Sequence, residues 1–338
     1  MMDRDDFAMI AEGLDRILTD APLDAIDKAG GLGPEADALW QTLEESGYIL
    51  LCASEGHGGS GAALADILPL AALAARHAAA TPLADTILAT GLLSAAGQQP
   101  PALRIGLIDP LAPDAPIAHA SQIDAVLSLE DGRLRLMRIE RGDIRPVHQA
   151  EDGAGRLLRQ PAGVLVDCAA PEWLIPDAFR ALAALIRASQ MAGAMEAVLG
   201  LSLDYTRDRE QFGRPLAKFQ AIQHHLSDIA CETAAAMAAV EMAGDALCAD
   251  VEVGPRVIDE IAIAKTRCGE AASRVAAAAH QAHGAMGFTR EYALGRYTRR
   301  LWQWQDEFGS ETEWAELLGK SVLAHPAPCL WPRISQPI

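Results

Sequence analysis

The chain has 338 residues, enough for two or three domains, and alanine supplies 66 of them, whereas aromatic residues make up only 5%. Alanine is the best helix former, so this bias predicts a mainly α-helical protein. The net charge of −18 argues against a nucleic-acid-binding protein, which would carry a basic surplus, and against attraction to an anionic membrane. An anionic ligand would therefore have to be bound by a local basic cluster.

The N-terminus and the cysteines both favour a cytoplasmic protein. Residues 1–13 are acidic and amphipathic, unlike a signal peptide, and no apolar stretch is long and uninterrupted enough to predict a membrane span. The six cysteines are scattered without metal-binding spacing, which is typical of reduced thiols. We therefore expect a cytoplasmic enzyme without a structural metal.

The first half of the chain changes from helical to β-like texture near residue 104. Residues 1–103 read as an N-terminal helical domain with glycine-rich breaks at 30–34 and 55–61. Residues 104–170 contain four short β-like runs, and the sequence EDGR at 130–133 predicts a hairpin. We interpret this second region as a small β domain.

The second half reads as a four-helix bundle over 176–324, followed by a Pro-rich tail at 325–338. Pro176 and Asp177 form a helix start, and the first helix is predicted to run to about Arg209. Further helices are predicted over 217–249, after Gly254-Pro255, and over 290–323 with a break at Phe308-Gly309.

The glycine-rich segment Gly56–Gly61 matches the dinucleotide-binding pattern G-x-G-x-x-G literally. It follows a strand-like run, YILLCASE, at 48–55. A dinucleotide fold requires a second strand next, ending in an acidic residue, but two helical segments follow. We therefore interpret the segment as a turn between helices and His57 as a loop histidine.

An arginine-rich turn follows the first bundle helix, in a chain otherwise short of positive charge. Arginine forks suit phosphate oxygens, the glutamines offer amide groups, and the phenylalanine offers a flat surface for a ring. The turn could hold the ADP half of a cofactor or coenzyme A, or it could be a solvated turn paired with Asp208 and Glu210. Its residues are Arg207, Arg209, Gln211, Phe212, Arg214 and Gln220.

A second cluster, QAHGAMGFTREY at 281–292, combines glycines with a histidine near a predicted helix end. Glycine there allows a ligand or another backbone to approach closely. His280 and His283 lie three residues apart without a third ligand, which disfavours a metal site.

Three segments, 38–61, 207–230 and 281–304, resemble signatures of the acyl-CoA dehydrogenase family. The resemblance implies a helical domain, a β domain and a four-helix bundle. It also implies FAD as cofactor and a catalytic Glu that removes the α-proton of an acyl-CoA while hydride leaves the β-carbon. The resemblance also implies contacts with the ADP half of FAD, made by arms that reach the flavin of a neighbouring subunit: Arg209, Gln211, Phe212, Gln220, Gln281, Gly284 and Ala285. Ser310 is a further implied FAD contact.

The chain departs from the family pattern at three places. Phe308 stands where the family has its catalytic Glu, so Glu307, one residue earlier, is the nearest candidate base. The family's alternative base position falls at Ala183-Ala184. The β domain is short, and GLIDPLAPDAP at 106–116 replaces the Thr- and Gly-rich segment that contacts the flavin ring in full members.

This pattern resembles the short subunits of heteromeric acyl-CoA dehydrogenases, such as those acting on steroid side-chain CoA esters. The resemblance implies an acyl-CoA substrate, a paralogous partner that carries the catalytic Glu in a heterotetramer, and an electron-transfer flavoprotein as electron acceptor. Two alternatives remain open. The chain could be a self-sufficient homo-oligomeric dehydrogenase with Glu307 as base, or a non-catalytic scaffold.

Overall fold

The computed structural model describes residues 4–147, 153–158, 161, 163–250, 252–289 and 291–324. The predicted tail at 325–338 lies outside these ranges. As the composition indicates, the described chain is mainly α-helical with a small β region, and the predicted fold class is confirmed.

Residues 4–95 form a helical layer, and its last helix is buried along nearly its whole length. Every residue from Leu83 to Ser94 is buried, so this helix is in contact with the core on all sides. The helices are α1 (Arg4–Asp20), α2 (Leu23–Lys28), α3 (Pro34–Glu45), α4 (Ile67–Arg76) and α5 (Leu83–Ala95).

The strand-like reading of 48–55 is wrong. Tyr48–Leu50 forms a single 3₁₀ turn because its apolar side chains pack inward and its backbone bonds to α5, where Thr90 Oγ1 donates to the Ile49 carbonyl at 2.7 Å. At Gly59 an added Cβ would lie 2.1 Å from the Ala53 carbonyl oxygen, so close backbone packing requires glycine there. The glycine-rich segment is a packing turn, in agreement with the non-dinucleotide interpretation.

The β region consists of β1 (Ile105–Leu107), β2 (Ala125–Glu130), β3 (Arg133–Arg138), β4 (Ile144–Pro146), β5 (Gly155–Leu157) and β6 (Gly163–Ala169). Four strands form one sheet in the order β1-β2-β3-β6, while β4 and β5 pair separately. The predicted hairpin is confirmed: Glu130 pairs with Arg133 across Asp131 and Gly132, both at positive φ, as a two-residue primed turn requires. The sequence analysis did not predict the β4–β5 pair, whose strands have three residues each.

The predicted bundle helices and the break after Asp306 are confirmed. They are α6 (Pro176–Asp208), α7 (Gln220–Ala249), α8 (Pro255–His283), α9 (Leu294–Asp306) and α10 (Glu311–Leu323), with a hairpin of β7 (Glu210–Gln211) and β8 (Arg214–Pro215) between α6 and α7. The helix α6 crosses α4 at very close range, since an added Cβ on Gly193 would lie 2.0 Å from the Ala72 carbonyl oxygen.

The helix α6 is also long and apolar enough to span a bilayer by length and composition. Its most apolar window is 83% buried inside the fold. That burial is the pattern of a core helix, around which α4, α7, α8 and α9 pack.

Candidate functional site

The arginine-rich turn forms an exposed hairpin at the C-terminal end of α6. The Arg209 amide donates to the Tyr205 carbonyl at 2.9 Å, and the Leu216 amide donates to the Arg209 carbonyl at 2.8 Å, which fixes the base of the hairpin. Phe212 sits at its tip, 93% exposed and at positive φ. The structure thus presents Arg209, Gln211 and Phe212 to solvent rather than to the body of the same chain.

The second predicted cofactor segment lies next to this hairpin. Gln281, Gly284 and Ala285 are exposed around the end of α8, where Gly284 turns the chain at a φ of 57°. The Tyr205 ring stacks on the His283 ring with centroids 4.5 Å apart. The structure therefore brings two of the predicted segments together, and we call residues 209–220 and 281–285 the cofactor arms.

Ser310 is not part of this group. It is the N-cap of α10, where its Oγ accepts from the Glu313 amide at 3.3 Å and the Glu313 carboxylate returns a bond to the Ser310 amide. The neighbouring Glu311 carbonyl is bonded by Thr266, which lies 15 residues before Gln281 on α8, or about 22 Å along the helix.

Glu307 belongs to a buried ion cluster. Arg187 on α6 is 1% exposed; its two terminal nitrogens bind both oxygens of Asp85 at 2.7 and 2.8 Å, and its Nε bonds the Glu307 carboxylate. The other Glu307 oxygen accepts from Gln303 at 2.7 Å. Burial disfavours the charge on Arg187, but the two carboxylates outweigh it and raise its pKa above the ordinary value.

Phe308 completes this cluster. Its side chain is 8% exposed, and its ring lies 5.2 Å from the Arg187 guanidinium carbon in a cation–π contact. The Phe308 backbone has a φ of 54°, and its carbonyl accepts from the Trp314 indole at 2.9 Å. The loop between α9 and α10 is therefore fixed by contacts of both the side chain and the carbonyl group of Phe308.

Comparison with known proteins agrees with this architecture. The family model "Acyl-CoA dehydrogenase, C-terminal domain" matches residues 181–302. The acyl-CoA dehydrogenase IpdE2 of Mycobacterium tuberculosis is 32% identical over 274 residues, covering 78% of this chain and 80% of that protein. The chain belongs to the acyl-CoA dehydrogenase family. Its members are FAD-dependent oxidoreductases.

Two solved structures align with nearly the whole chain. The ChsE4–ChsE5 complex from Mycobacterium tuberculosis aligns with a TM-score of 0.81 at 19% identity, covering 96% of this chain and 99% of that one. The Tcur3481–Tcur3483 steroid ACAD aligns with a TM-score of 0.78 at 20% identity, covering 95% and 98%. At these identities the likeness shows the fold.

The fold brings both base positions of the acyl-CoA dehydrogenase pattern to one place. Phe308 stacks on Arg187, and Ala183 and Ala184, both fully buried, lie one turn before Arg187 on α6. Sequence reasoning missed Asp85 and Arg187; the signal available was a lone charge inside each of two apolar helical segments.

A cavity of about 500 Å³ lies beside the cluster, between the β region and α9. Leu107 and Ile117 line its β side, and Trp302, Gln303 and Glu307 line its helical side. The loop at 109–116 borders this cavity. It contains a tight turn, in which Asp109 Oδ1 accepts from the Leu111 amide at 2.9 Å. This loop offers the cavity aliphatic and proline surface, with Asp109 as its acidic member.

The cofactor arms and the ion cluster lie far apart on the same chain. Arg187 and Asp208 are 21 residues apart on the continuous helix α6, which corresponds to about 32 Å. The exposed guanidinium, amide and ring groups of the arms fit the ADP half of FAD, whereas the turn at 109–116 does not supply the hydroxyl-rich wall expected for the flavin ring.

Proposed function

We propose that this chain is one subunit of a heteromeric acyl-CoA dehydrogenase and that its cofactor arms complete an FAD site on a partner subunit. The observation that carries this proposal is the ion cluster: the Glu307 carboxylate is bound by Arg187 and Gln303, and Phe308 fills the base position. A partner with its own catalytic Glu would supply the missing base.

In this assembly the chain would bind the ADP half of FAD and orient the cofactor. Arg209 would bind the pyrophosphate of FAD as a charge-assisted donor, while Gln211, Gln281 and the exposed backbone at Gly284 and Ala285 would bind the neighbouring polar groups. FAD, when bound, accepts the hydride that leaves the β-carbon of the acyl group. The acyl-CoA α-proton passes to the partner's carboxylate.

The substrate class and surroundings follow from the same proposal. The structural relatives include a two-component complex and a steroid ACAD, which supports a steroid side-chain CoA ester as substrate and a paralogous partner. We propose an electron-transfer flavoprotein as acceptor. The five cysteines in the described ranges are unpaired, which supports a cytoplasmic location.

We also propose three domains, over 1–103, 104–170 and 176–324. The change from helix to strand at Ile105 and back to helix at Pro176 supports these boundaries.

The test is Glu307→Gln in the complex with an acyl-CoA dehydrogenase homologue from the same genome. The proposal expects kcat to stay close to wild type, because the partner's carboxylate, and not Glu307, would take up the α-proton. Loss of about 10²-fold or more in kcat, with flavin content and melting temperature unchanged, would contradict it.

One observation favours the self-sufficient alternative: Glu307 lines the 500 Å³ cavity. A homo-oligomer with Glu307 as base would lose turnover in the same Glu307→Gln experiment while keeping flavin. A scaffold role predicts neither flavin nor turnover in any complex, so one set of measurements separates all three functions.

A further inference from the structure

We propose that Tyr205, His283 and Tyr292 form a ring cluster that sets the position of the two cofactor arms relative to each other, with His283 as the central positioning residue. This inference rests on the proposed function, because it assigns a role to residues that would not touch FAD themselves. It extends the proposed function from the residues that would contact FAD to the three rings that fix their position.

The three rings contact one another pairwise. Tyr205 and His283 stack with centroids 4.5 Å apart, His283 and Tyr292 lie 5.1 Å apart, and Tyr205 and Tyr292 meet edge to face at 5.8 Å. His283 is 3% exposed, and the two tyrosines are half-buried. The cluster thus joins the last turns of α6 and α8 to the segment before α9.

Hydrogen bonds fix the orientation of the His283 ring. Its Nδ1 lies 2.8 Å from the Ala279 carbonyl and therefore donates to it. Its Nε2 lies 3.1 Å from the Tyr292 hydroxyl and, as the second nitrogen of a neutral ring, accepts from it. With both nitrogens bonded, rotation of the ring would break two contacts.

The cluster lies at the base of the first arm and within the second. The Arg209 amide bonds the Tyr205 carbonyl at 2.9 Å, so the hairpin starts directly from Tyr205. Gly284 follows His283 in the chain, and the Tyr205 hydroxyl donates to the His283 carbonyl at 3.3 Å. A shift of the His283 ring would therefore move the two arms relative to each other, and small displacements of binding groups are costly in affinity.

The test measures dissociation constants of FAD, ADP and FMN for the complex of this chain with its partner homologue. FMN lacks the adenylate and keeps only one phosphate of the ADP half, so FAD and ADP report on the arms more fully than FMN does. We expect His283→Ala to weaken FAD and ADP on the order of tenfold and to weaken FMN less. Tyr292→Phe, which keeps the rings and removes one hydrogen bond, should act in the same direction with a smaller effect.

His280→Ala is the matched control. His280 lies one turn earlier on α8 and stacks on Phe288 at 4.5 Å, outside the ring cluster. Its substitution should leave the ratio of FAD to FMN affinity at the wild-type value.

Unchanged FAD and ADP affinity in both His283→Ala and Tyr292→Phe would overturn the inference while leaving the proposed function intact. An equal loss of FMN affinity would also overturn it, since that result indicates general damage to the fold. A wild-type complex that binds no FAD would remove the proposed function and this inference together.

Discussion

Arg187 is the centre of a buried ion cluster. It joins α5, α6 and the loop after α9 through Asp85 and Glu307. The side chains of Arg187, Asp85 and Glu307 are 2%, 3% and 10% exposed. Removing one partner of a buried ion cluster leaves the other charges uncompensated. We therefore expect Arg187→Leu to lower the free energy of unfolding by about 3–5 kcal/mol, measured by urea denaturation.

Arg207→Leu is the control for that change. Arg207 pairs with Asp204 at 3.4 Å, but both side chains are about 70% exposed, and such pairs contribute little. Equal destabilisation by the two substitutions would show that the Arg187 cluster does not stabilise the core.

We expect the protonation of His283 to make the stability of the protein depend on pH. Burial lowers its pKa from 6.5, so the unfolded chain takes up the proton first as the pH falls. Stability should therefore decrease as the pH drops below about 6.5, and the melting temperature of wild type should fall from pH 7 to pH 5. His283→Asn should show a shallower fall; an identical slope would mean that other groups cause it.

Within α6, two glycines have opposite surroundings. An added Cβ on Gly193 would collide with the α4 backbone at Ala72, whereas nothing lies within 4 Å of a Cβ on Gly200. We expect Gly193→Ala to destabilise the protein by about 2 kcal/mol or more and Gly200→Ala to stabilise it by up to about 1 kcal/mol. Thermal denaturation of the pair checks this, and similar melting temperatures would contradict the close helix contact.

A substitution at the tip of the β7–β8 hairpin should weaken cofactor binding without lowering the stability of the protein. Phe212 is 93% exposed at positive φ, which favours glycine. Phe212→Gly should therefore keep or slightly raise the melting temperature, yet weaken FAD binding in the complex. A large loss of stability, or unchanged FAD affinity, would contradict the role of this hairpin as a cofactor arm.

Helices and the EDGR hairpin could be predicted from the sequence because their signals are local. Periodic apolar residues, Pro176 and Gly132 act within a few positions of the structure they determine. The segment at 48–55 was misread because contacts with α5, far along the chain, decide its conformation. The Asp85–Arg187–Glu307 cluster was missed for the same reason, since its members lie on three separate elements.

At the scale of the whole molecule, the helix α6 separates the buried ion cluster from the exposed hairpin. Its N-terminal half carries the filled ion cluster, and its C-terminal end carries the exposed cofactor arms about 32 Å away. The exposed groups that fit a cofactor lie far from the chain's own buried carboxylate. This separation is expected if the arms face another subunit.

The most direct test is acyl-CoA oxidation, with an artificial electron acceptor, by the purified chain alone and by its complex with the partner homologue. The account predicts no flavin-dependent turnover by the chain alone and turnover with bound FAD in the complex. Full FAD occupancy together with acyl-CoA turnover by the isolated chain would contradict it.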